Sequence, residues 1–496
     1  MGIVKRQAIK ATIVSYAGAF LGYFNQVVLF VQFLAPAQIG LIRLIVDFAT
    51  VASQVTLLGI PSVILKYFPF FKDREKKHNN ILGFSILIGL LGFALVTVIL
   101  FVFKGVFVKI YEERSEEFID YYHLVIPLLF YFTFFNILDA YSRSLMRITV
   151  PSILRDIFSR ILVAAVVVLF YFKLIDFSWM ISLYALSFII PVIALAYYIK
   201  RLGHWLLGID FSFFTKDLKK SITSFAGFSL LGTASSTLVW RIDVLMIAPL
   251  LGLAETGIYG IASYIGSVIE IPGRSLSQIS LPVIADAWKN NDLPKIADMY
   301  SRTALNQLII TGLIFLLIWC GIDDIIDIFL KAEYQEGKYV VLFIALGKLV
   351  NLASGVNGEI IMTSKYYRYN IIVIMILMVA TIGFNIVFIP IYGITGAAFA
   401  TFLSLIIFNL AKFFFVWIKL KMQPFGVKHF LSALIITLFV LMSMYTPKMG
   451  NSLVDLLIRC SAISVLYLVI IYYTKLSDDI NEYIDMGILK LRNIFK

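Results

Sequence analysis

The chain alternates long apolar runs with short polar segments along almost its whole length. Each run holds about 20 residues or more, which as a helix is enough to cross the roughly 30 Å hydrocarbon core of a bilayer. We count about 14 such runs, so we predict an all-α polytopic membrane protein. The predicted spans are 8–34, 40–67, 80–103, 119–146, 150–173, 177–200, 220–250, 256–284, 300–322, 338–363, 369–391, 394–420, 428–446 and 452–474.

The polar segments between these runs carry unequal charge. If the N-terminus is cytoplasmic, most of the 42 Lys and Arg residues, among them Lys412 and Lys419, fall in cytoplasmic segments and few fall in the opposite loops. This asymmetry is the one that the positive-inside rule describes. It predicts an even number of spans with both termini in the cytoplasm. It also accounts for the net charge of +12 without nucleic acid as a partner.

A weak internal repeat divides the spans into two halves. At an offset of about 217 residues, Ala37 and Gly40 align with Ala254 and Gly257. Six spans per repeat leave both halves in the same orientation, related by an axis along the membrane normal. We therefore predict two six-helix lobes in parallel repeat plus two C-terminal helices. The predicted boundaries are an N-terminal lobe at 1–205, a C-terminal lobe at 206–425, two extra transmembrane helices at 426–474 and a cytoplasmic tail at 475–496.

Composition and motifs argue against an enzyme. About 60% of residues are apolar and 15% are charged, and the four histidines lie far apart in sequence. The chain has no phosphate-binding glycine-rich loop, no HExxH and no nucleophile elbow. Its loops are too short to fold as a separate catalytic domain. We therefore expect no catalytic residues, no metal and no cofactor, and a transporter whose energy does not come from nucleotide hydrolysis within this chain.

Charged side chains inside the predicted spans are the candidates for function. A charge at membrane depth costs on the order of 3 kcal/mol or more, so each needs a polar place to point, and an internal water-filled cavity is the simplest. Cations in such a cavity suit an anionic substrate, and arginine suits phosphate through its bidentate geometry. The predicted substrate-binding residues are Arg43, Arg241, Arg274 and Lys348, and the predicted coupling or orienting residues are Asp47, Asp243 and Glu270.

Spacing along the helices decides which of these charges can neutralise one another. Arg241 and Asp243 are two residues apart and point in different directions, and Lys348 has no carboxylate three or four residues away. Residues four apart share a helix face. Four pairs have this spacing: Arg43/Asp47, Asp139/Arg143, Asp156/Arg160 and Glu270/Arg274. The two charges of such a pair can simply neutralise each other and hold helices together. We favour this interpretation for Asp139/Arg143 and Asp156/Arg160.

Two segments of the chain carry a family resemblance. They run from Gln38 to Ser62 and from Arg241 to Pro272. Together with the repeat of six plus two helices, they resemble the lipid-linked oligosaccharide (O-antigen type) flippases, polysaccharide exporters of the multidrug/oligosaccharidyl-lipid/polysaccharide exporter superfamily. The resemblance implies a two-lobed transporter of the bacterial inner membrane that moves undecaprenyl-diphosphate-linked oligosaccharide to the outer leaflet by alternating access. The implied partners are that glycolipid, membrane lipids and polysaccharide polymerase machinery.

Two other functions remain open at this point. A cation-coupled multidrug antiporter of the same superfamily would use the acidic residues Asp47, Asp243 and Glu270. The first predicted span holds no acidic residue, although many multidrug exporters keep a coupling carboxylate there. A membrane enzyme, such as a glycan polymerase or a lipid-linked glycosyltransferase, would have a large outer loop with clustered charges, which this chain lacks.

Overall fold

The computed structural model describes residues 14–71, 80–208, 215–443, 445 and 450–494, and these residues form helices and no strand. Internal packing divides the chain into two compact units, Met1–Gly260 and Ile261–Lys496. The helices of the first unit are α1 (Val14–Phe33), α2 (Pro36–Leu57), α3 (Ile60–Phe71), α4 (Ile81–Val102), α5 (Lys104–Tyr111), α6 (Glu116–Asp120), α7 (Val125–Ser144), α8 (Thr149–Ile153), α9 (Ser159–Tyr171), α10 (Phe177–Ser187), α11 (Ile189–Arg201), α12 (Lys216–Val239) and α13 (Ile242–Leu250).

Helix α14 (Leu253–Gly266) begins in the first unit and crosses the division. A 3₁₀ turn at Ser267–Glu270 follows it. The remaining helices belong to the second unit: α15 (Ile271–Lys289), α16 (Leu293–Cys320), α17 (Ile322–Phe329), α18 (Lys338–Ala353), α19 (Asn357–Thr363), α20 (Tyr369–Phe415), α21 (Val427–Ser443), α22 (Ser452–Thr474) and α23 (Asp478–Ile494).

The ends of α2 are set by local sequence. Pro36 occupies the first helical position, where its fixed φ suits the helix and its missing N–H is not needed. The side chain of Gln38 accepts a hydrogen bond of 3.0 Å from the backbone N–H of Ala35. The helix ends where Leu58 and Gly59 take positive φ angles of 47° and 75°. A Cβ on Gly59 would lie 2.4 Å from the carbonyl oxygen of Ala226, so only glycine fits.

The starts of α2 and α14 meet through two glycines. A Cβ on Gly40 would lie 1.8 Å from the carbonyl oxygen of Leu253, and one on Gly257 would lie 2.0 Å from that of Pro36. Each glycine therefore lets the other helix approach to direct backbone contact. The two halves of this contact are equivalent in the predicted repeat. Pro36 and Gly40 align with Leu253 and Gly257 at the repeat offset of about 217 residues.

The first unit extends past the predicted lobe boundary at 205/206. The reason is that α12 and α13 pack on helices from the first half of the chain. Tyr67 Oη lies 2.7 Å from Ser221 Oγ, and Ser115 Oγ donates a 2.7 Å hydrogen bond to the carbonyl of Ala248. Packing thus joins 206–260 to the first unit. The predicted division into two repeat lobes, two extra helices and a tail stays a prediction.

The all-α membrane fold is confirmed. Within the described ranges, nine helices are long and apolar enough to cross a membrane, or ten if the bent pair Ala332–Ala353 and Asn357–Thr363 is one span. Every predicted span overlaps a helix. The count of 14 stays a prediction, because some predicted spans are broken into two helices and two others form one continuous helix. One predicted break lies inside α20, at Gly393 with φ 59° and ψ −139°.

Candidate functional site

A cluster of three charged side chains lies inside the first unit. Asp47, on α2, is fully buried, and its carboxylate accepts hydrogen bonds from two guanidinium groups. Arg43 Nε, one turn earlier on the same helix, lies 3.0 Å from Oδ2. Arg241 Nη1, from the segment between α12 and α13, lies 2.6 Å from Oδ1. The predicted Arg43/Asp47 pair is confirmed, and the structure adds Arg241 to it.

The cluster carries an excess of positive charge. Two cations meet one carboxylate, and the side chains of Arg43 and Arg241 are 23% and 33% exposed while that of Asp47 is 1% exposed. Arg43 uses only Nε in the pair and Arg241 only Nη1, so the other guanidinium N–H groups make no hydrogen bond to any described residue. Guanidinium N–H groups of this kind are suited to hydrogen-bond an anion.

A helix break places Arg241 in the cluster. Helix α12 ends at Val239 and α13 begins at Ile242, so Trp240 and Arg241 form a turn between them. The backbone N–H of Arg241 bonds to the carbonyl of Leu238 at 3.0 Å. The turn carries the side chain out of the register of either helix. The sequence-based span 220–250 was therefore wrong as one continuous helix.

Asp243 has a different partner from its neighbour in sequence. It is 9% exposed in the first turn of α13, and the hydroxyl of Tyr259, on α14, donates a hydrogen bond to its Oδ2. Arg241 and Asp243 thus bond to different groups, as their spacing predicts. Sequence reasoning did not identify Tyr259, because no spacing rule connects residues on two helices.

The second unit holds a separate ion pair. Lys348, on α18, is 6% exposed, and its Nζ lies 3.3 Å from Oε1 of Glu270 in the 3₁₀ turn before α15. Lys348 thus takes a carboxylate from another helix, since its own helix offers none in reach. Arg274 lies on α15, but its side chain is outside the described residues, so the predicted Glu270/Arg274 pair stays a prediction.

The two pairs predicted near the cytoplasmic interface turn out differently. Arg143 bonds to Asp139 at 2.6 Å, as its spacing predicts. Asp156 pairs with Arg155 at 3.0 Å, so the predicted Asp156/Arg160 pair was wrong. The cause is a π-helical turn at Leu154–Phe158, which holds more residues per turn than an α-helix and so moves residues four apart off a common face.

A second polar region in this unit was missed from sequence. A cavity of about 420 Å³ lies at the break between α18 and α19, and Lys412 from α20 lines it. From the sequence, we count Lys412 among the basic residues of the cytoplasmic segments. In the structure it lies within α20 and is 8% exposed, and its side of the membrane stays a prediction. Glu359, Gln307, Asn351 and Asn370 also line the cavity. Four amide or carboxylate side chains in apolar spans were a signal that could have identified it.

Comparisons with known proteins agree with this architecture. A family model described as polysaccharide biosynthesis protein matches residues 4–288. An uncharacterised membrane protein of Methanocaldococcus jannaschii is 20% identical over 462 residues, which is 88% of each chain.

Two solved structures share the fold. The lipid II flippase MurJ, in an inward closed conformation, has a TM-score of 0.72 at 16% identity and covers 95% of this chain and 100% of its own. An inward-facing multidrug resistance transporter of the MATE family, in the MOP superfamily, has a TM-score of 0.63 at 12% identity, covering 87% and 99%. At these identities the likeness establishes the fold.

Proposed function

This chain belongs to the polysaccharide biosynthesis protein family, and we propose that it is a flippase for undecaprenyl-diphosphate-linked oligosaccharide in the bacterial inner membrane. The observation that carries the proposal is the cluster of Arg43, Asp47 and Arg241. It sets two guanidinium groups on one carboxylate inside apolar helices, with N–H donors left over.

The chemistry of a diphosphate fits these donors. Each phosphate oxygen accepts hydrogen bonds, and a planar guanidinium can bind two of them at once. Asp47 holds both arginines in place and lowers the cost of keeping two like charges close together. Because one positive charge remains in excess, an anion completes the cluster where a neutral or cationic ligand would not.

The other predicted site residues have supporting roles in this proposal. Lys348 and Arg274 supply further positive charge toward the substrate. Asp243, held by Tyr259, and Glu270, held by Lys348, orient neighbouring groups or carry coupling protons. Alternating access between two conformations moves the head group while the lipid tail stays in the bilayer.

The experiment compares three variants in cells that lack the native gene. Arg241→Gln removes the charge, Arg241→Lys keeps it without the bidentate geometry, and Arg147→Gln is a matched control in an exposed loop. The measurement is the leaflet in which lipid-linked glycan accumulates, together with surface polysaccharide. We expect cytoplasmic accumulation for Arg241→Gln, an intermediate amount for Arg241→Lys and none for the control.

Two results would count against the flippase. Normal export with Arg241→Gln would remove the cluster from the mechanism. Normal glycans in the gene deletion, together with new sensitivity to cationic drugs, would favour the multidrug antiporter, whose coupling groups would then be Asp47, Asp243 and Glu270.

A further inference from the structure

The cavity in the second unit is formed at a broken helix. Helix α18 ends at Ala353 and α19 begins at Asn357, and the two are bent by 52°. Gly355 takes a φ of 62° in the break. In a membrane, irregular backbone is tolerated where it is buried in protein or lines a cavity, and broken helices often form binding sites. Here Gly355 lines the cavity of about 420 Å³, a volume typical of ligand pockets.

Lys412 is a buried cation without an ion pair. It is 8% exposed, and its Nζ lies 3.8 Å from the ring centroid of Phe408, one turn earlier on α20. Its ammonium forms no hydrogen bond or ion pair with any residue that the structure describes. A buried ammonium without a hydrogen-bond acceptor is costly, so the cavity is incomplete as it stands.

The cavity offers other unsatisfied or available polar groups. Gln307, 6% exposed, has a side-chain oxygen with no hydrogen-bond partner among the described residues. Glu359 accepts a hydrogen bond from Ser277 and is the charged neighbour of Lys412. Asn351 and Asn370 add amide groups that both donate and accept.

The balance of charge limits the class of ligand. One ammonium and one carboxylate leave the cavity without net charge. Lys412 disfavours an inorganic cation, and Glu359 disfavours a phosphate. A ligand rich in hydroxyl or acetamido groups has donors and acceptors for the amides and for both charged groups.

We infer that this cavity binds a neutral saccharide unit of the transported glycolipid. The inference rests on the proposed function and assigns the sugar, not the diphosphate, to the cavity lined by Lys412, Glu359 and Gln307. Lys412 donates to sugar oxygens, Glu359 accepts from sugar hydroxyls, and the amides fix the orientation of the ring.

The test measures binding of two probes to the purified full-length protein in lipid nanodiscs. One probe is the lipid-linked saccharide fraction extracted from the host membranes, and the other is undecaprenyl diphosphate without sugar. The variants are Lys412→Gln and Asn370→Ala, and Lys419→Gln is the matched control, because Lys419 is exposed seven residues further along the chain. The readout is the ratio of the two affinities.

We expect Lys412→Gln to weaken binding of the glycolipid by about tenfold or more, as the loss of a charged hydrogen bond does. The affinity for undecaprenyl diphosphate without sugar should not change. Asn370→Ala should act in the same direction with a smaller factor, and Lys419→Gln should match the wild type. An unchanged ratio in both cavity variants would overturn the inference alone. Sodium-dependent thermal stabilisation lost in Glu359→Gln would also overturn it, by assigning the cavity to a cation. Wild-type protein that binds neither probe would overturn the proposed function as well.

Discussion

The two units differ in the ratio of cations to carboxylates within their buried ion pairs. In the first unit, Arg43 and Arg241 share the one carboxylate of Asp47, so positive charge is in excess. In the second unit, two buried cations each pair with an acid, whereas the buried Lys412 forms no ion pair with a described residue. Lys348 meets Glu270, and Arg459, 10% exposed, lies 3.0 Å from Asp324, whose side chain is 2% exposed.

This difference distinguishes a charged cluster that can bind a ligand from an ion pair that only holds helices together. A matched pair satisfies itself, and replacing both partners by apolar residues of similar size is often neutral for stability. A cluster with one charge too many needs another ion or water. The number of cations per acid is therefore more informative than the presence of a buried charge, and changing that number is the direct way to test the comparison.

The largest effect is expected from breaking the unequal cluster. Asp47→Asn leaves two guanidinium groups facing each other without a counter-charge, so we expect the folded state to lose roughly 3 kcal/mol and export to fall sharply. Thermal unfolding and surface polysaccharide are the measurements. Asp298→Asn is the control, because that carboxylate is 62% exposed. If Asp47→Asn is as stable as the wild type, the two guanidinium groups do not need the carboxylate to offset their repulsion.

The matched pair offers the opposite test. Lys348→Met leaves Glu270 without its ammonium and should lower stability by about 2–3 kcal/mol. Adding Glu270→Leu should recover part of that loss, because it removes the carboxylate that Lys348→Met leaves without its ammonium. In the first unit the corresponding double variant, Arg241→Met with Asp47→Leu, still leaves Arg43 and should not recover. Equal recovery in both units would contradict the comparison of stoichiometry.

A smaller effect should come from the second carboxylate of the first unit. Tyr259→Phe removes the hydroxyl that donates to the buried Asp243, and leaving a buried acceptor short of a donor costs roughly 1–2 kcal/mol. Tyr197→Phe, at a 62% exposed position, should change nothing. The thermal midpoints of the two variants decide the point. If they shift equally, the hydrogen bond to Asp243 contributes no stability.

The smallest effect concerns an exposed pair, which sharpens the contrast with the buried ones. Asp479, at the start of α23, accepts hydrogen bonds from Arg302 and Asn306. The guanidinium of Arg302 lowers the pKa of the Asp479 carboxyl below its usual value. The Arg302–Asp479 pair therefore stabilises the docking of α23 fully above the ordinary carboxyl pKa of about 3.9. This stabilisation is lost as the pH falls through the lower pKa that Asp479 has in the folded protein.

Hydrogen exchange of α23 as a function of pH measures this docking. Wild-type protection should decrease at acidic pH, whereas Asp479→Asn should show weaker protection at neutral pH and no such step. Asp478→Asn, at the exposed neighbouring position, should behave like the wild type. A step that persists in Asp479→Asn would assign the pH dependence to another group.

Much of the fold follows from the sequence because each span is a local property. Apolar runs of helical length locate the helices, and a spacing of four residues identifies Arg43/Asp47 and Asp139/Arg143. Spacing also shows that Lys348 has no partner on its own helix. These relations involve residues within one or two turns, where helix geometry alone decides what is close.

The rest depends on contacts between helices or on departures from α-helical pitch. Nothing in the spacing of Arg241 connects it to Asp47, almost 200 residues earlier. The π-helical turn at Leu154–Phe158 breaks the spacing rule for Asp156. Lys412 lies near the end of an apolar run, where a buried lysine and a lysine at the membrane surface have the same sequence pattern.

The contact between Gly40 and Gly257 has a consequence for how the protein is made. The two glycines are separated by about 217 residues, and a ribosome adding roughly 5–20 residues per second needs on the order of 10–40 s to synthesise that length. During that interval α2 is already in the bilayer while its partner is still unmade. The glycine face of α2 therefore meets lipid or other segments of the nascent chain first, and this contact forms late in biogenesis.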